Sequence, residues 1–307
     1  GESAGRERVT MSITDGQAHI WAADTPQRPW PTTPIAPHRD VALGADELLG
    51  RMDEVGVARC VLVPPTWEGP RNDVVLAAIR EHPMRFAALL RVDPTDPRVV
   101  RDLPALCREP NVVGIRLSMT QGDWRASLRA ADASGFFAVA AAAGVRLSIY
   151  MPGGYRELAG LAARYPELRI TVDHLALDRV GPPLDQAVEP VLTLAAHPNV
   201  AVKASALPCF VDEAFPFPSI SRGVLRLVRE FGSDRVFWGS DLSRLPCTYA
   251  DLISCFVDHM PELDHRQLAD LMGGAISRWL DWPSPPDQDD VARQPDALAP
   301  ISRPSSH

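Results

Sequence analysis

Eight short runs of apolar and β-branched residues recur along the chain, and a helix-like stretch separates most neighbouring runs. They cover residues 12–19, 58–64, 86–92, 112–117, 145–150, 169–174, 200–205 and 236–241. Nearly all of the runs are apolar at consecutive positions, which is typical of strands buried on both faces of a parallel sheet. Eight strand–helix units predict a single-domain α/β fold, the closed (β/α)8 or TIM barrel. An open doubly wound sheet is the alternative, but no Gly-rich dinucleotide-binding motif follows any of the runs.

The stretches between these runs carry helical periodicity. In residues 45–56, the apolar residues Leu48, Leu49, Met52 and Val55 fall on one face of a helix. The same kind of spacing predicts helices over residues 74–81, 130–143, 155–164, 183–196 and 220–231. A further helix over residues 267–280 is expected to close the barrel.

Changes in composition set the predicted domain boundaries. Residues 1–11 are a polar N-terminal extension with the character of an expression-tag remnant, and residues 12–282 form the barrel. Residues 283–307 are rich in Pro, Asp, Gln and Ser, so this tail buries little apolar surface and is predicted to be disordered. The long stretch 22–40, which contains Pro and Trp, follows the first strand and is expected to lie over the barrel mouth.

Charge and hydropathy argue against several classes of partner. The formal net charge of −8 disfavours a nucleic-acid surface, which needs a basic stripe, and an anionic membrane. No apolar run approaches the ~20 residues that span a bilayer, and the first residues lack the apolar centre of a secretory signal. Five cysteines without a paired spacing suit a reducing compartment, so a cytoplasmic location is expected. The sequence leaves the oligomeric state open, a homo-oligomer included.

Polar and ionisable residues stand at the ends of the predicted strands. Because the catalytic groups of such barrels come from the C-terminal ends of several strands, we treat these residues as one set. The set comprises Gln17, His19, Arg116, Ser148, Tyr150, His174, Lys203, Ser205 and Asp241. Each member alone has an ordinary structural explanation, such as a salt bridge at the barrel rim or a helix cap. Burying all of them without partners is costly, so their convergence on one pocket favours a functional site.

Several of these residues lie in segments that resemble the amidohydrolase superfamily, in particular its amidohydrolase-2 type. That type includes lactonases that act on pyrone dicarboxylates, sulfomuconolactone and sugar lactones. The matching segments are Asp15-Gly16-Gln17-Ala18-His19-Ile20-Trp21, Gly114-Ile115-Arg116-Leu117, Val172-Asp173-His174-Leu175, Val202-Lys203-Ala204-Ser205 and Gly239-Ser240-Asp241, with residues 271–280 near the end of the barrel. The resemblance spans nearly the whole chain up to Trp282 and implies a TIM-barrel hydrolase, without fixing its substrate.

The first strand departs from the pattern of the metal-using relatives. Those relatives carry a His-x-His pair there, whereas this chain has Gln17 before His19. Strand five offers Ser148 and Tyr150 where the relatives lead us to expect a His. We therefore predict a site without metal or other cofactor. His19, His174 and Asp241 remain as three potential zinc ligands, which keeps a metal site as the alternative.

The predicted activity is the hydrolysis of a lactone or related cyclic ester. In this interpretation Asp241 activates a water molecule as general base. His19, with His174 or Lys203, stabilises the oxyanion. The candidates for binding the substrate are Gln17, Trp21, His38, Arg116 and Tyr150. Arg116 suits a carboxylate or carbonyl clamp because a guanidinium binds such groups bidentately, so the expected partner is a small lactone or a ring bearing a carboxylate.

Two other interpretations follow from the same residues. The first is a metal-dependent hydrolase or decarboxylase of the same superfamily that uses His19, His174 and Asp241 as ligands. The second is a catalytically silent barrel that binds a ligand, which the loss of the first His would allow. Metal content tests the first alternative, and retention of the base Asp241 counts against the second.

Overall fold

Eight parallel strands form the wall of the barrel in the computed structural model, which describes residues 11–120 and 122–283. The strands are β1 (Ile13–Ala18), β2 (Val57–Leu62), β3 (Phe86–Arg91), β4 (Val112–Ser118), β5 (Leu147–Tyr150), β6 (Ile170–Val172), β7 (Val200–Ser205) and β8 (Val236–Gly239). Each strand is hydrogen-bonded to the next one in sequence, which gives a nearly closed barrel. The predicted single-domain (β/α)8 fold is confirmed, and each predicted strand lies within about two residues of its expected bounds.

The helices lie between the strands in sequence. They are α1 (Ala45–Val55), α2 (Asp73–Glu81), α3 (Pro97–Leu106), α4 (Trp124–Ala133), α5 (Phe136–Ala142), α6 (Tyr155–Arg164), α7 (Leu184–Ala187), α8 (Glu189–Leu192), α9 (Pro218–Phe231), α10 (Tyr249–Val257), α11 (His265–Ala269) and α12 (Ala275–Trp279). Leu48 and Met52 of α1 are buried, as the apolar spacing of this segment predicts. The sequence pattern does not predict α3 or α10. In α3, charged residues and Pro104 interrupt the apolar spacing.

Two predicted helices are divided into shorter ones. The segment 130–143 belongs to α4 and α5, because Gly135 adopts a left-handed backbone conformation (φ 83°) between them. The segment 183–196 forms α7, α8 and a final 3-10 turn. Pro190 lies in the first turn of α8, where its missing N–H is tolerated, but it cannot continue a preceding helix.

The predicted closing helix 267–280 is also interrupted. Between α11 and α12, residues Asp270–Gly274 form a π-helical turn. Gly273 in this turn lies against Thr14 of β1, where a Cβ atom would come within 2.6 Å of the Thr14 backbone nitrogen. The interruption therefore lets the end of the barrel pack directly onto its first strand.

The inner face of the barrel changes from apolar to polar toward the carboxyl ends of the strands. Every second side chain of a strand points to the same face. Ala87 and Leu89 of β3 belong to an apolar cluster that includes residues of α12. Arg91 comes two positions after Leu89 and therefore points to the same inner face. Phe237 of β8 belongs to the same cluster. Asp241 comes four positions later, on the same side of the chain. This arrangement brings ionisable groups together at one end of the barrel.

The seam between β1 and β8 is held by the buried carboxylate of Asp15. Ser240 donates to it from its backbone nitrogen at 2.8 Å and from Oγ at 2.5 Å, and the Tyr249 hydroxyl donates at 2.6 Å. Burial raises the pKa of Asp15, and these hydrogen bonds oppose the rise. Gly16 allows the strands to approach, because a Cβ atom there would lie 2.5 Å from Trp238 O.

The predicted terminal segments fall almost wholly outside the described residues. The extension 1–11 is described only at Met11, and the tail 283–307 only at Pro283. Among the described residues, none of the helices has both the length and the hydropathy that a membrane crossing requires.

Candidate active site

A cavity of about 520 Å³ opens at the carboxyl ends of the strands, where the polar ends of the inner face converge. The side chains that line it include His19, His38, Trp67, Arg91, Arg116, Ser118, Tyr150, His174, Asp241 and Arg244. Nine residues are predicted to act in catalysis or in substrate binding. The structure brings six of them into this one cavity, namely His19, His38, Arg116, Tyr150, His174 and Asp241.

Asp241 is a buried carboxylate that follows β8 in a left-handed backbone conformation (φ 51°). His19 Nε2 lies 3.1 Å from its Oδ1, while His174 Nε2 and Arg244 Nε lie 3.6 and 3.4 Å from its Oδ2. Burial alone would raise the pKa of Asp241. The contact with His19 and the charge of Arg244 hold that pKa well below its ordinary value. Asp241 is therefore an ionised group held in a strained backbone, a combination common at functional sites.

His19 is fixed by contacts at both of its ring nitrogens. Nδ1 lies 2.7 Å from Val63 O, and Nε2 lies 3.1 Å from Asp241 Oδ1. Val63 O accepts a hydrogen bond from Nδ1, which fixes the orientation of the ring. His19 thus presents Nε2 to the carboxylate of Asp241 at the cavity wall.

His174 is neutral. Gln17 Oε1 accepts hydrogen bonds from Lys203 Nζ at 3.0 Å and Arg116 Nη1 at 3.3 Å, so its amide nitrogen is the group that faces His174. That nitrogen lies 3.2 Å from His174 Nε2 and donates to it, which leaves the ring proton on Nδ1, 2.7 Å from Ser205 Oγ. Burial lowers the pKa of His174 to about 3.

An ion-pair network beneath the cavity orients Gln17. Lys203 Nζ lies 2.9 Å from Asp173 Oδ1 and 3.2 Å from Ser148 Oγ. Arg116 Nη1 lies 2.8 Å from the other carboxylate oxygen of Asp173. Burial would raise the pKa of Asp173, but these two cations lower it to about 2. Burial also lowers the pKa of Lys203, while Asp173 opposes that shift. The network thus fixes the amide of Gln17 from below.

Three predicted site residues do not reach the cavity wall. Within the described residues, Gln17 and Lys203 are buried beneath the cavity and are not among the side chains that line it. The predicted contact between Lys203 and an oxyanion is corrected, because its ammonium group is engaged by Asp173 and Gln17. The predicted substrate contact of Trp21 is corrected too. Trp21 is 1% exposed and packs edge-on against Trp67, which forms the aromatic wall instead.

The stretch 22–40 reaches the barrel mouth, as its length and composition predict. Ile35 and His38 of this stretch line the cavity. His38 Nδ1 lies 2.7 Å from Ser243 Oγ in the turn after β8, and its ring centroid lies 4.7 Å from that of Trp67. Burial lowers the pKa of His38 to about 4, so this histidine is neutral at pH 7.

The sequence interpretation misses several residues of the site, namely Trp67, Arg91, Asp173 and Arg244. For Arg91 a signal exists, because it continues the inward-facing alternation of Ala87 and Leu89. Asp173 also has one, since it precedes His174 within a segment that resembles the family. Trp67 and Arg244 lie in turns beyond the strands, where no periodicity indicates the direction of a side chain.

The residues as placed do not fit a zinc centre. In the described part of the chain, no three His, Cys, Asp or Glu side chains form a group that could hold a metal ion. A histidine binds a metal through a ring-nitrogen lone pair. Gln17 donates its amide N–H to the lone pair of His174 Nε2. That imidazole therefore presents no free lone pair to the space beside Asp241.

Comparison with known sequences places this site in a family. The protein-family model described as amidohydrolase matches residues 14–303. An L-fucono-1,5-lactonase from Burkholderia ambifaria is 31% identical over 252 residues, which cover 77% of this chain and 83% of that protein.

Solved structures share the fold at lower identity. An amidohydrolase from Burkholderia multivorans with bound zinc superposes with a TM-score of 0.72 and 20% identity, over 89% of this chain and 100% of that one. A probable 2-pyrone-4,6-dicarboxylic acid hydrolase from Acinetobacter baumannii with citric acid bound gives 0.67 and 19%, over 88% and 100%. These identities show the fold alone, whereas the match to the family model covers most of the sequence. The resemblance seen in the strand-end segments is thereby confirmed, and the chain belongs to the amidohydrolase family.

Proposed function

We propose that the protein is a metal-independent hydrolase of a lactone or related cyclic ester, with Asp241 as its general base. The observation that carries the proposal is the buried carboxylate of Asp241 at the cavity wall, 3.1 Å from Nε2 of His19. The similarity to an L-fucono-1,5-lactonase supports a lactone as the substrate class.

The first step is the attack of a water molecule on the lactone carbonyl carbon. Asp241 takes a proton from the water as the new carbon–oxygen bond forms. Because His174 Nε2 carries no proton, it donates nothing to Oδ2 of Asp241, 3.6 Å away, and the water approaches this oxygen on that side, with Arg244 Nε 3.4 Å from the same oxygen. General-base help of this kind is worth ~10²–10⁴-fold in rate.

His19 and Arg244 are the proposed donors to the oxyanion. When the carbonyl oxygen takes the N–H of His19, Asp241 loses the partner that most lowers its pKa and becomes a stronger base. One preorganised donor of this kind is commonly worth ~3 kcal/mol. Lys203 acts indirectly, since it holds Gln17 and Asp173 beneath the cavity.

The tetrahedral intermediate collapses when the ring carbon–oxygen bond breaks. The proton held by Asp241 then passes to the leaving alkoxide oxygen. The product is an open-chain hydroxy acid, and the carboxylate of Asp241 is ready for another cycle. No step requires a metal ion, because His19 and Arg244 supply the positive charge beside the reacting carbonyl.

The test is the variant Asp241→Asn, which keeps the shape of the side chain and removes the base. We expect kcat to fall by ~10²–10⁴-fold, with the circular dichroism spectrum and Tm retained. The assay follows acid release from L-fucono-1,5-lactone and a panel of other sugar lactones. Asp46→Asn is the matched control, since Asp46 is an exposed residue of α1. Turnover of the Asp241→Asn variant close to wild type would rule out Asp241 as the base.

The other two interpretations give different results in the same assays. A metal-dependent hydrolase or decarboxylase would lose activity on chelation, and a decarboxylase would release carbon dioxide. A silent binding barrel would bind lactones without opening them.

A further inference from the structure

Arg91 is a guanidinium group at the cavity wall that has no acidic partner among the described residues. Asn72 fixes its backbone, because the Asn72 amide accepts from Arg91 N and donates to Arg91 O, both at 2.8 Å. Its Nη1 donates to Ser118 Oγ at 3.1 Å and Thr66 Oγ1 at 3.4 Å. Its Nε is buried without a hydrogen-bond partner. The side chain is thus held in place by neutral groups, while its charge stays uncompensated.

The other two guanidinium groups of the cavity are already paired. Arg116 faces Asp173, and Arg244 faces Asp241. Arg91 and Arg116 are register partners on the adjacent strands β3 and β4, so two guanidinium groups lie side by side. Burial and the charge of Arg116 lower the pKa of Arg91 to about 10, which still leaves it charged at neutral pH. Like charges in a partly buried site are unfavourable unless an anion joins them.

We propose that Arg91 binds a carboxylate of the substrate, so that the protein opens a lactone that carries a carboxylate away from the reacting ester. The lactone part of this statement rests on the proposed function, whereas the anion site rests on the surroundings of Arg91 alone. The inference also moves the expected carboxylate clamp from Arg116 to Arg91, because Arg116 is already engaged by Asp173.

The groups around Arg91 suit this ligand. Ser118 and Thr66 accept hydrogen bonds from the guanidinium through their hydroxyl oxygens, which leaves their own hydrogens to donate to a carboxylate. A guanidinium and a carboxylate form charge-assisted hydrogen bonds, which are stronger than neutral ones. Arg91 contacts no atom of the reacting ester in this arrangement, so it determines specificity and takes no part in the chemical step.

The experiment uses matched lactone pairs that differ only in a carboxylate. One pair is D-glucaro-1,4-lactone and D-glucono-1,4-lactone, and an aromatic pair is 5-carboxyphthalide and phthalide. For each compound, kcat and KM are measured by acid release, and binding to the full chain is measured by calorimetry. The variants are Arg91→Gln, which removes the charge, and Arg91→Lys, which keeps it. Arg80→Gln is the control, since Arg80 pairs with Glu109 on the surface.

We expect wild type to prefer the carboxylated member of at least one pair. Arg91→Gln should lower kcat/KM for that compound by about 10- to 100-fold, mainly through KM, and leave the neutral member unchanged. Arg91→Lys should recover part of the loss, and Arg80→Gln should behave as wild type. If Arg91→Gln does not fold, Ser118→Ala should give a smaller loss in the same direction.

The outcomes separate this inference from the proposed function. Hydrolysis of neutral lactones with no preference for any carboxylated partner overturns the anion site and leaves the lactonase proposal standing. Binding of a carboxylated probe that depends on Arg91, without ring opening, supports the anion site and counts against lactone hydrolysis. No difference between carboxylated and neutral probes in either rate or binding overturns the inference.

Discussion

Two histidines face the same carboxylate in this site and are held in different ways. His19 Nδ1 contacts Val63 O and its Nε2 faces Asp241. His174, in contrast, receives an N–H from Gln17 at Nε2 and is neutral. Gln17 causes the difference, because the cations bonded to its oxygen turn its amide nitrogen toward His174. One amide in place of an imidazole thus sets the protonation state of a residue on another strand.

The pH dependence of catalysis follows from these protonation states. The pKa of Asp241 is lowered well below its ordinary value, and that of His174 is lowered to about 3. An acid with a lowered pKa stays ionised, and a histidine with a lowered pKa stays neutral, until the pH falls through those values. Both working forms therefore persist from neutral pH down to about pH 5. We expect kcat/KM to be flat between about pH 5 and 7 in a pH–rate profile.

A metal-bound water would give a different profile. Its pKa is about 7 in zinc hydrolases, so kcat/KM would rise through that pH as the hydroxide forms. An acid limb with its inflection near neutrality would therefore contradict the assignment of Asp241 as an ionised base. The uncatalysed opening of the lactone, measured in the same buffers, is the control.

At the scale of the elements, the alternation of side chains along the strands predicts much of the site. The site residues that lie in turns are not predicted by it. His19, His174 and Asp241 stand at strand ends, where the barrel architecture dictates that they converge. The network beneath them joins Gln17 to Lys203, which are 186 positions apart, so no local pattern reveals the contact. Turn residues such as Arg244 follow no period, and their directions come only from tertiary packing.

In the described part of the chain, the loop formed by residues 22–40 is joined to the turn after β8 by one hydrogen bond, between His38 Nδ1 and Ser243 Oγ. Ser243→Ala removes the partner of a half-buried ring nitrogen, which typically costs about 1 kcal/mol. We expect KM to rise by about fivefold with a smaller change in kcat, because Ile35 and His38 of this loop line the cavity and have no proposed role in the chemical step. Hydrogen exchange of residues 31–40 should become faster.

Ser254→Ala is the matched control for this change. Ser254 donates a hydrogen bond to Asp258 on the exposed side of α10, far along the helix from the loop. It should leave both KM and loop exchange as in wild type. Equal exchange rates in the Ser243→Ala variant and wild type would show that the hydrogen bond does not hold the loop.

For the whole molecule, the eightfold repeat makes the fold predictable from sequence, and the closure of the barrel does not follow from it. The strand runs are regular enough to count, but the π-helical turn at Asp270–Gly274 breaks the predicted last helix. In that turn Gly273 packs against Thr14 of β1, the first strand of the barrel. A contact of this range carries no periodic signal.

Metal removal tests the proposed chemistry on the intact protein. Dialysis against EDTA should leave both Tm and kcat/KM unchanged, and added zinc should raise neither. A resident metal would increase the free energy of unfolding, by an amount that grows with the logarithm of the metal concentration divided by its Kd. Loss of the metal would therefore lower Tm. A hydrolase with an established zinc requirement, treated in parallel, is the positive control. One tightly bound metal per chain by elemental analysis, lost together with activity, would contradict the proposal.

The seam held by Asp15 has a consequence for how the protein is made. The carboxylate of Asp15 is synthesised near the start of the chain, and its donors Ser240 and Tyr249 are among the last residues of the barrel. During translation at ~5–20 residues per second, β1 therefore waits more than ten seconds for its partners. Throughout that interval one edge of β1 is unpaired in the nascent chain. The carboxylate of Asp15, which is buried in the folded protein, is exposed to water. The candidate active site, which spans the same seam, forms only after the ribosome has synthesised β8 and the residues that follow it.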